Sequence, residues 1–337
     1  MHLRTALALA GMVAAAAAQV DPSWMRRADD WYKGPEAAAV AANILSHQTK
    51  LGGWPKNLDT FGKGRRPGDT AVARPTFDNA ATTTELRFLG KVLARRSDPA
   101  LLAAFDRGLA HILSAQYPNG GFPQSHPPGK GYDRHITFND DAMASVMALL
   151  RDIAFSPDFA FVGEPRRREA RAAFEKGIAC ILRCQVRIGG KPAAWGAQHD
   201  RETLAPASAR SYELASLSSH DTATLVRLLM SVPKPSPEIR ESVEGAVSWL
   251  RSTRIDNLAI ERVDGDARVV TRPGAPPLWA RFRSLQTGKP IFCDRDGKPK
   301  DSLAEIGHER RNGYAWYVPT PRALLDREHP EWRRRNP

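Results

Sequence analysis

The sequence predicts a fold dominated by α-helices, in which three helical hairpins pack together and their long loops lie on one rim. Three observations support this prediction. A helix–loop–helix segment occurs three times along the chain. The first helix of each copy ends at a glutamine that precedes a double glycine. After about residue 255 the helical pattern gives way to short β-like runs and turn signals. We therefore expect a ring of helices followed by a small irregular and β-rich part.

The repeat is visible as similar amino-acid sequence at three places in the chain. Residues 44–57 read ILSHQTKLGGWPKN and residues 112–125 read ILSAQYPNGGFPQS. A third copy, ILRCQVRIGGKPAAWGAQ, starts at Ile181 and has an insertion before its aromatic residue. The glutamines of the three copies are Gln48, Gln116 and Gln185, so the period is 68 to 69 residues. A period of this length fits two helices joined by a long loop.

The second helix of each hairpin begins where a helix N-cap is expected. The segments that start these helices are 76–93, 137–153 and 218–230, and each opens with Asp, Asn, Ser or Thr. A further amphipathic stretch, Ser242–Arg251, adds one more helix. Hairpins of this kind can pack in a ring or in a curved stack, and we prefer the ring.

In a ring, the loops between the paired helices fall on the same end. These loops are 62–75, 118–130 and 189–208, and all are rich in proline, glycine or polar residues. The region after residue 255 is expected to hold a small β-hairpin, and a short helix should close the chain. The unusual side chains of the repeats are therefore predicted to meet on one rim.

The first residues resemble an export signal. Residues 1–18 carry a basic start and then an apolar run that ends in small residues, which is typical of a signal peptide. The alternative is an alanine-rich first helix of the domain. With the signal interpretation, residues 19–337 form a single catalytic domain that is secreted or periplasmic.

The composition favours an anionic partner. The chain has 337 residues and a formal net charge of +12. Its Lys and Arg residues are scattered and match no nucleic-acid-binding pattern, so we expect neither nucleic acid nor a membrane as partner. An acidic polysaccharide suits an exported basic protein, although the charge could also serve solubility alone. The three cysteines cannot form a disulfide framework, and a monomer is the default expectation.

Two acidic residues and one arginine stand at comparable places in the repeats. Asp78 lies 30 residues after the first repeat glutamine, Asp140 lies 24 after the second, and Arg210 lies 25 after the third. Asn79 and Asp141 follow the two aspartates directly. Oxygen donors without a cluster of His or Cys favour calcium over zinc or copper. Each aspartate alone could be a helix cap, but recurrence on a shared rim beside a cation favours a site.

Further residues could bind a chain of acidic sugars on the same rim. Each is weak evidence singly, since a tryptophan after two glycines can simply fill the end of a hairpin. The candidate substrate-binding residues are Lys56, Arg310, Arg311, Tyr314 and Trp54.

Six blocks in order resemble family ten of the polysaccharide lyases, the pectate lyases. These blocks are GGWPKN, TFDNAATTTELRFL, AQYPNGGFPQ, ITFNDDAMASVMALL, ARSYELASLSSHDTATLVRLLM and RRNGYAWY, and they cover roughly residues 35–322. The resemblance implies an (α/α)₃ toroid, a calcium cofactor, polygalacturonate as substrate and anti-β-elimination as the reaction. Transferred to this chain, it implies that Arg210 is the catalytic base and that Asp78 and Asp140 bind calcium with Asn79 nearby. It also implies that Arg310 or Arg311 binds a substrate carboxylate.

Two other functions remain compatible with the same residues. A glycoside hydrolase on a helical toroid could use Asp78 with Asp140 or Asp141 as general acid and base. A non-catalytic protein could bind acidic glycans with the same cationic rim. If arginine is too basic to take a proton, Lys56 is the alternative base for an elimination.

Overall fold

The computed structural model describes residues 22–66 and 74–336 of the chain. It is rich in helix, with 49% helical and 13% strand residues. The predicted signal peptide, residues 1–18, lies outside the described residues. Within the described residues, no helix is both long and apolar enough to span a bilayer.

Seven main helices form the body of the molecule, and each hairpin predicted from the repeat is present. The helices are α1 (Pro35–His47), α2 (Thr83–Leu93), α3 (Pro99–Ala115), α4 (Ala142–Phe155), α5 (Glu164–Cys184), α6 (Ser219–Met230) and α7 (Pro237–Ser252). The pairs α1/α2, α3/α4 and α5/α6 are the three hairpins. The second helices contact in succession, α2 with α4 and α4 with α6, and the first helices do the same, α1 with α3, α3 with α5 and α5 with α7. The fold class predicted from the sequence is confirmed.

The repeated glutamine joins each hairpin to the next one. Gln48 caps the end of α1, and its side-chain amide donates to the carbonyl of Gly52 at 2.7 Å and to that of Ala104 in α3 at 2.7 Å. Gln116 makes the same pair of bonds, to Gly120 and to Ala173 of α5. The third glutamine reaches Ser242 of α7 at 3.0 Å. Repetition in the sequence therefore reflects one recurrent contact between neighbouring hairpins.

The first glycine of the motif is required by a close approach of two backbones. Gly52 has φ +95°, and a Cβ there would lie 2.4 Å from the carbonyl oxygen of Arg107 in α3. Gly120 has φ +96°, and its Cβ would lie 2.2 Å from the carbonyl of Lys176 in α5. A side chain at either place would need both a left-handed backbone and a shift of the next helix.

The aromatic residue of the motif is a core residue. Trp54 is 0% exposed, and its indole N–H donates to the Ile44 carbonyl at 2.7 Å. Trp195 of the third copy is also fully buried and makes the equivalent bond to Ile181 at 2.8 Å. Each indole thus ties the loop to the last turns of the preceding helix. The three cysteines are buried and free, as the absence of a disulfide framework predicts.

The strands of the loops in the second and third repeats are very short. A three-stranded sheet consists of β1 (Ile136–Thr137), β4 (Gln198–His199) and β5 (Pro206–Ala207), and β2 (Arg187–Ile188) pairs with β3 (Lys191–Pro192). The C-terminal part contains the predicted β-hairpin, in which β7 (Leu258–Val263) pairs with β8 (Asp266–Thr271). The remaining pairs are β6 (Leu217–Ser218) with β10 (Phe282–Arg283), β9 (Trp279–Ala280) with β13 (Tyr317–Val318), and β11 (Phe292–Cys293) with β12 (Pro299–Lys300).

The C-terminal segment folds back over the rim of the ring. In the pairing of β6 with β10, Phe282 lies opposite Ser218, directly before α6. Helix α8 (His308–Gly313) follows, and the chain closes with α9 (Pro321–Ala323), a π-helical turn (Leu324–Glu328) and α10 (His329–Arg335). Side chains from residues 281–314 are therefore brought to the loops of the repeats.

Candidate active site

Two strained turns on the rim position the acidic residues. A 3₁₀ turn precedes α2 at Asp78–Ala80, and another precedes α4 at Asn139–Asp141. Inside these turns Asn79 has φ 53° and ψ 34°, and Asp140 has φ 51° and ψ 33°. Left-handed backbone at residues other than glycine is uncommon and concentrates at functional sites. The two repeats thus carry the same unusual backbone.

The turns correct the correspondence that counting from the glutamines predicts. Asp140 occupies the position of Asn79, and Asn139 occupies the position of Asp78. Counting fails here because the loops before the two turns differ in length. The carboxylate is nevertheless brought to the same rim, one residue further along the second turn.

The third repeat lacks such a turn. Helix α6 starts at Ser219, and the hydroxyl of Ser218 accepts from the Asp221 backbone N–H and donates to its carboxylate at 2.5 Å. The sequence spacing suggested that Arg210 stands at the equivalent place in the third repeat. The structure shows that it does not. It lies on the loop between β5 and β6.

Asp78 is a buried carboxylate with an internal cation. Its relative exposure is 3%, and Oδ2 forms an ion pair with the Lys56 ammonium. The same oxygen accepts a hydrogen bond from Gln124 Nε2 at 2.7 Å. Within the described chain, both side-chain bonds of Asp78 fall on Oδ2, which leaves Oδ1 for another partner.

Asp140 is less buried and faces a different cation. Its Oδ2 accepts from Asn139 at 2.6 Å, and its Oδ1 lies 3.6 Å from Arg281 Nη2. Burial raises the pKa of the Asp140 carboxyl above its ordinary value, Arg281 opposes this, and the negative charges of Asp78 and Asp221 reinforce it. Three carboxylates are therefore close enough to repel one another.

Arg281 is a central residue that the sequence did not indicate. It is 8% exposed, donates to Asn139 Oδ1 at 3.2 Å and lies with its guanidinium carbon 4.9 Å from the Tyr314 ring centroid. Its backbone carbonyl accepts from the Ser219 N–H at 3.0 Å, which fixes it at the start of α6. It belongs to no repeat and to no motif, so only the return of the C-terminal segment reveals it.

Arg210 is held by a glutamate that sequence reasoning also missed. Its Nε and Nη2 donate to the two oxygens of Glu213, each at 2.6 Å. The side chain of Glu213 is 4% exposed and also accepts from the Tyr314 hydroxyl at 2.7 Å. These bonds to Glu213 raise the pKa of Arg210 above its ordinary value. The i to i+3 spacing in RSYE was the available signal for this pair.

Four guanidinium groups and two tyrosine rings form a continuous row. Arg281 and Arg210 flank the Tyr314 ring at 4.9 and 6.0 Å from its centroid. The Tyr212 ring follows, with three guanidinium carbons within 6 Å of its centroid, those of Arg210 at 5.2 Å, Arg295 at 5.8 Å and Arg310 at 4.6 Å. We call these six residues the cationic row. Arg281 and Arg210 act on Asp140 in the acidic cluster of Asp78, Asp140 and Asp221. At the other end of the row, Arg295 and Arg310 are both paired with Glu309.

The structure separates the remaining predicted substrate-binding residues. Arg311 makes two bonds of 2.8 Å to Asp266 and further bonds to backbone carbonyls, so it fastens the β7–β8 hairpin to α8. Arg310 instead joins the cationic row. Trp54, in contrast, is fully buried, which is incompatible with stacking on a substrate. Its place after two glycines predicted the packing role equally well, and the structure decides for it.

The acidic cluster fits a hard cation only with help from other ligands. No three or more His, Cys, Asp or Glu side chains within residues 22–66 and 74–336 are arranged to hold a metal ion by themselves. Asp221 Oδ1 in the cluster nevertheless lacks a hydrogen-bond partner, as do two buried oxygens of neighbouring residues, Gln124 Oε1 and Asp141 Oδ1. Calcium prefers such oxygen donors and accepts water and ligand oxygens in the rest of its coordination shell. The donor set therefore suits calcium that is shared with a bound anion.

Comparisons with known proteins show the family to which the chain belongs. The family profile described as pectic acid lyase matches residues 48–325. A family 10 polysaccharide lyase from Cellvibrio cellulosa has 30% sequence identity and a TM-score of 0.80, and the match covers 89% of this chain and 95% of that one. An aspartate-to-alanine mutant of such a lyase from the same organism, in complex with trigalacturonic acid, gives 30% identity and a TM-score of 0.81 over 90% and 95% of the two chains. Among curated proteins, none matches at a significant level. The matched region includes both strained turns and the cationic row, and the chain belongs to the pectic acid lyase family.

Proposed function

We propose that this protein is an exported, calcium-dependent pectate lyase that cleaves polygalacturonate by anti-β-elimination. The observation that carries the proposal is the cationic row beside the acidic cluster. A polyuronate presents a carboxylate on every sugar, and a row of guanidinium groups is a suitable partner for such a series of charges. Family membership and the trigalacturonic acid bound to a structural neighbour support the same substrate class.

The reaction requires that the negative charge of one substrate carboxylate is neutralised. The proton on C5 is removed by a base, its electron pair forms the C4–C5 double bond, and the C4–oxygen bond breaks. The oxygen that leaves then takes up a proton. Since C5 is next to the carboxylate, positive groups that bind this carboxylate stabilise the charge that develops there. We assign this role to Arg281, which faces Asp140 at one end of the cationic row. Arg310, at the other end, would bind the carboxylate of another sugar in the chain.

Calcium would be held by Asp78 and Asp140, with the orphan amide oxygen of Gln124 as a further donor and Asn79 beside it. Bound there, it would withdraw electron density from the substrate carboxylate as a Lewis acid. Burial raises the pKa of Asp140, and the negative charges of Asp78 and Asp221 raise it further. A divalent cation would relieve this repulsion.

Arg210 is the proposed base at C5, and its surroundings set a condition on this role. The bidentate bond to Glu213 favours the protonated guanidinium, whereas neighbouring cations favour the neutral one. Proton removal by Arg210 then requires that bound substrate and cation weaken the contact to Glu213, and an alkaline pH optimum is expected.

A single assay tests the proposed function. The purified protein is incubated with polygalacturonate, and the absorbance of unsaturated products in the ultraviolet is followed with and without a calcium chelator. We expect a signal that the chelator abolishes and that Arg210→Ala lowers by at least about 10²-fold. Arg166→Ala, which breaks an exposed helical ion pair with Glu169, is the matched control and should retain activity.

The same assay separates the alternatives. Reducing ends without the ultraviolet signal would indicate a glycoside hydrolase. Binding of polygalacturonate without either product would indicate a non-catalytic glycan-binding protein. Full activity in the Arg210→Ala variant would remove this residue from the chemistry while leaving the enzyme class intact.

A further inference from the structure

The two carboxylates of the proposed calcium site have counter-ions of opposite character. Asp78 is paired with Lys56, whose side chain is 40% exposed. Asp140 faces Arg281, whose side chain is 9% exposed and lies against the Tyr314 ring. A half-exposed ammonium on a flexible stem can leave its partner, whereas a buried and stacked guanidinium cannot leave without disrupting the rim.

The exposed segment that carries Lys56 is anchored on both sides. Before it, the Trp54 N–H donates to the Thr82 hydroxyl at 2.9 Å. After it, the Thr60 hydroxyl donates to Glu85 at 2.8 Å, and the Phe61 carbonyl accepts from Asn43 at 2.8 Å. A change of side-chain rotamer at Lys56 is therefore sufficient to move the ammonium group away from Asp78.

A divalent cation and the Lys56 ammonium compete for the same carboxylate. The carboxylate of Asp78 is 4% exposed, and one of its oxygens already carries both the ion pair and the bond from Gln124. Two positive ions in direct contact with one small buried group repel each other strongly in a medium of low dielectric constant. Binding of the divalent cation is thus favoured when the ammonium departs.

We propose that Lys56 is an exchangeable internal counter-ion of Asp78. It neutralises the buried carboxylate in the cation-free enzyme, and a divalent cation displaces it. The displaced ammonium remains at the rim beside the proposed calcium site, where it can bind a substrate carboxylate. Binding of the divalent cation therefore also releases the ammonium group that binds the substrate carboxylate. This inference rests on the proposed role of Asp78 as a calcium ligand.

Calcium titration of the whole protein without substrate tests the exchange. Isothermal titration calorimetry with calcium alone should show about tenfold tighter binding to Lys56→Met than to wild type, which corresponds to about 1.4 kcal/mol. Lys33→Met is the matched control, because it removes the same charge from an exposed ion pair with Asp30. Its calcium affinity should equal that of wild type. Asp78→Asn should abolish the calcium binding that the other variants show.

A labelling experiment on the wild-type protein avoids any effect of the substitution on folding. Acetylation of lysines is measured by mass spectrometry with and without calcium, and Lys33 in the same sample is the internal reference. Release from Asp78 should make acetylation of Lys56 several-fold faster when calcium is present, with no change at Lys33.

The outcomes distinguish this inference from the proposed function. If Lys56→Met binds calcium no more tightly than wild type, or if calcium leaves the labelling of Lys56 unchanged, the exchange is wrong. If Asp78→Asn binds calcium as tightly as wild type, the proposed calcium role of Asp78 is wrong, and the exchange is wrong with it. Lyase activity that a chelator abolishes would in that case still support the proposed reaction.

Discussion

The first and second repeats share one strained backbone turn but use it for different chemistry. Asn79 and Asp140 adopt nearly identical left-handed conformations at equivalent places. In the first repeat the carboxylate stands at the first residue of the turn, is buried and is paired with a lysine of its own hairpin. In the second repeat it stands one residue later, is more exposed and faces Arg281 from the far end of the chain. The repeat thus supplies the same backbone turn twice. The residues that differ within it give the two carboxylates different positions and different counter-ions.

The residue that packs against the glycine of the motif also differs between the two repeats. The glycine of the first motif approaches His111, and that of the second approaches Cys180, so these two residues are equivalent. His111 is 4% exposed and lies 5.7 Å from the ring of Phe77, which directly precedes the first turn. A histidine can gain a proton in mildly acidic solution, whereas a buried thiol cannot. The first turn is therefore the one that acid should disturb.

Removal of the buried cation should have the largest effect. Arg281→Met leaves Asp140 and Asp221 without their main compensating charge, and loss of one partner of a buried ion pair costs about 3–5 kcal/mol. We expect a decrease of this size in the free energy of unfolding, measured by chemical denaturation. A decrease below about 1 kcal/mol would show that Arg281 is not the structural cation of the second repeat.

Neutralising the second carboxylate should come next. Asp140→Asn keeps the size of the side chain and can still accept from Asn139, so the turn is preserved while the charge is lost. We expect a decrease in lyase turnover of about 10²–10³-fold, as for other electrostatic groups at reaction centres. Asp30→Asn, which neutralises an exposed carboxylate paired with Lys33, is the control and should lose far less. Equal losses in both variants would contradict the assignment of Asp140.

The pH dependence of the free energy of unfolding should reveal the histidine of the first repeat. Burial and the neighbouring His126 lower the pKa of His111 to about 4, below its ordinary value near 6.5. The unfolded chain therefore binds the proton more readily, and stability is complete above pH 6.5 and falls as the pH decreases towards 4. His111→Gln should remove about 3 kcal/mol of this loss at most. Denaturation at several pH values measures it, and a slope unchanged by the substitution would exclude His111. His199, whose pKa burial also lowers to about 4, accounts for part of the remaining slope.

The smallest effect on stability is expected at the exchangeable cation. Lys56→Met removes a half-exposed partner from a carboxylate that Gln124 still binds, so we expect a cost below the roughly 3–5 kcal/mol of a fully buried pair. The melting temperature measured without calcium should fall slightly, and calcium should restore it. A loss as large as that of Arg281→Met would mean that the two counter-ions are equivalent after all.

The repeats made much of the fold predictable. Gln48, Gln116 and their glycines form contacts between neighbouring hairpins, so the same local text recurs wherever the same contact recurs. Asp78, Asp140 and Arg210 were found from this periodicity and do lie around one rim. Their detailed correspondence was not predictable, because loop lengths before the turns differ and a count along the chain cannot detect a shift of one residue.

The partners of these residues belong to segments without periodicity. Arg281 lies in a short strand after the ring, and its role depends on the pairing of Phe282 with Ser218. Glu213 stands close to Arg210 in sequence, but only the side-chain geometry shows that both oxygens bind the guanidinium. Tyr314 reaches the same glutamate from about a hundred residues away.

By itself, the sequence determined the hairpins, their number and the end of the ring on which the polar loops lie, because these features depend on local turn chemistry and on amphipathic periodicity. The tertiary structure decided which charges meet. Ion pairs such as that of Arg281 with Asp140 form between segments far apart in the chain, and their strength depends on burial, which exists only after the C-terminal segment has closed over the rim.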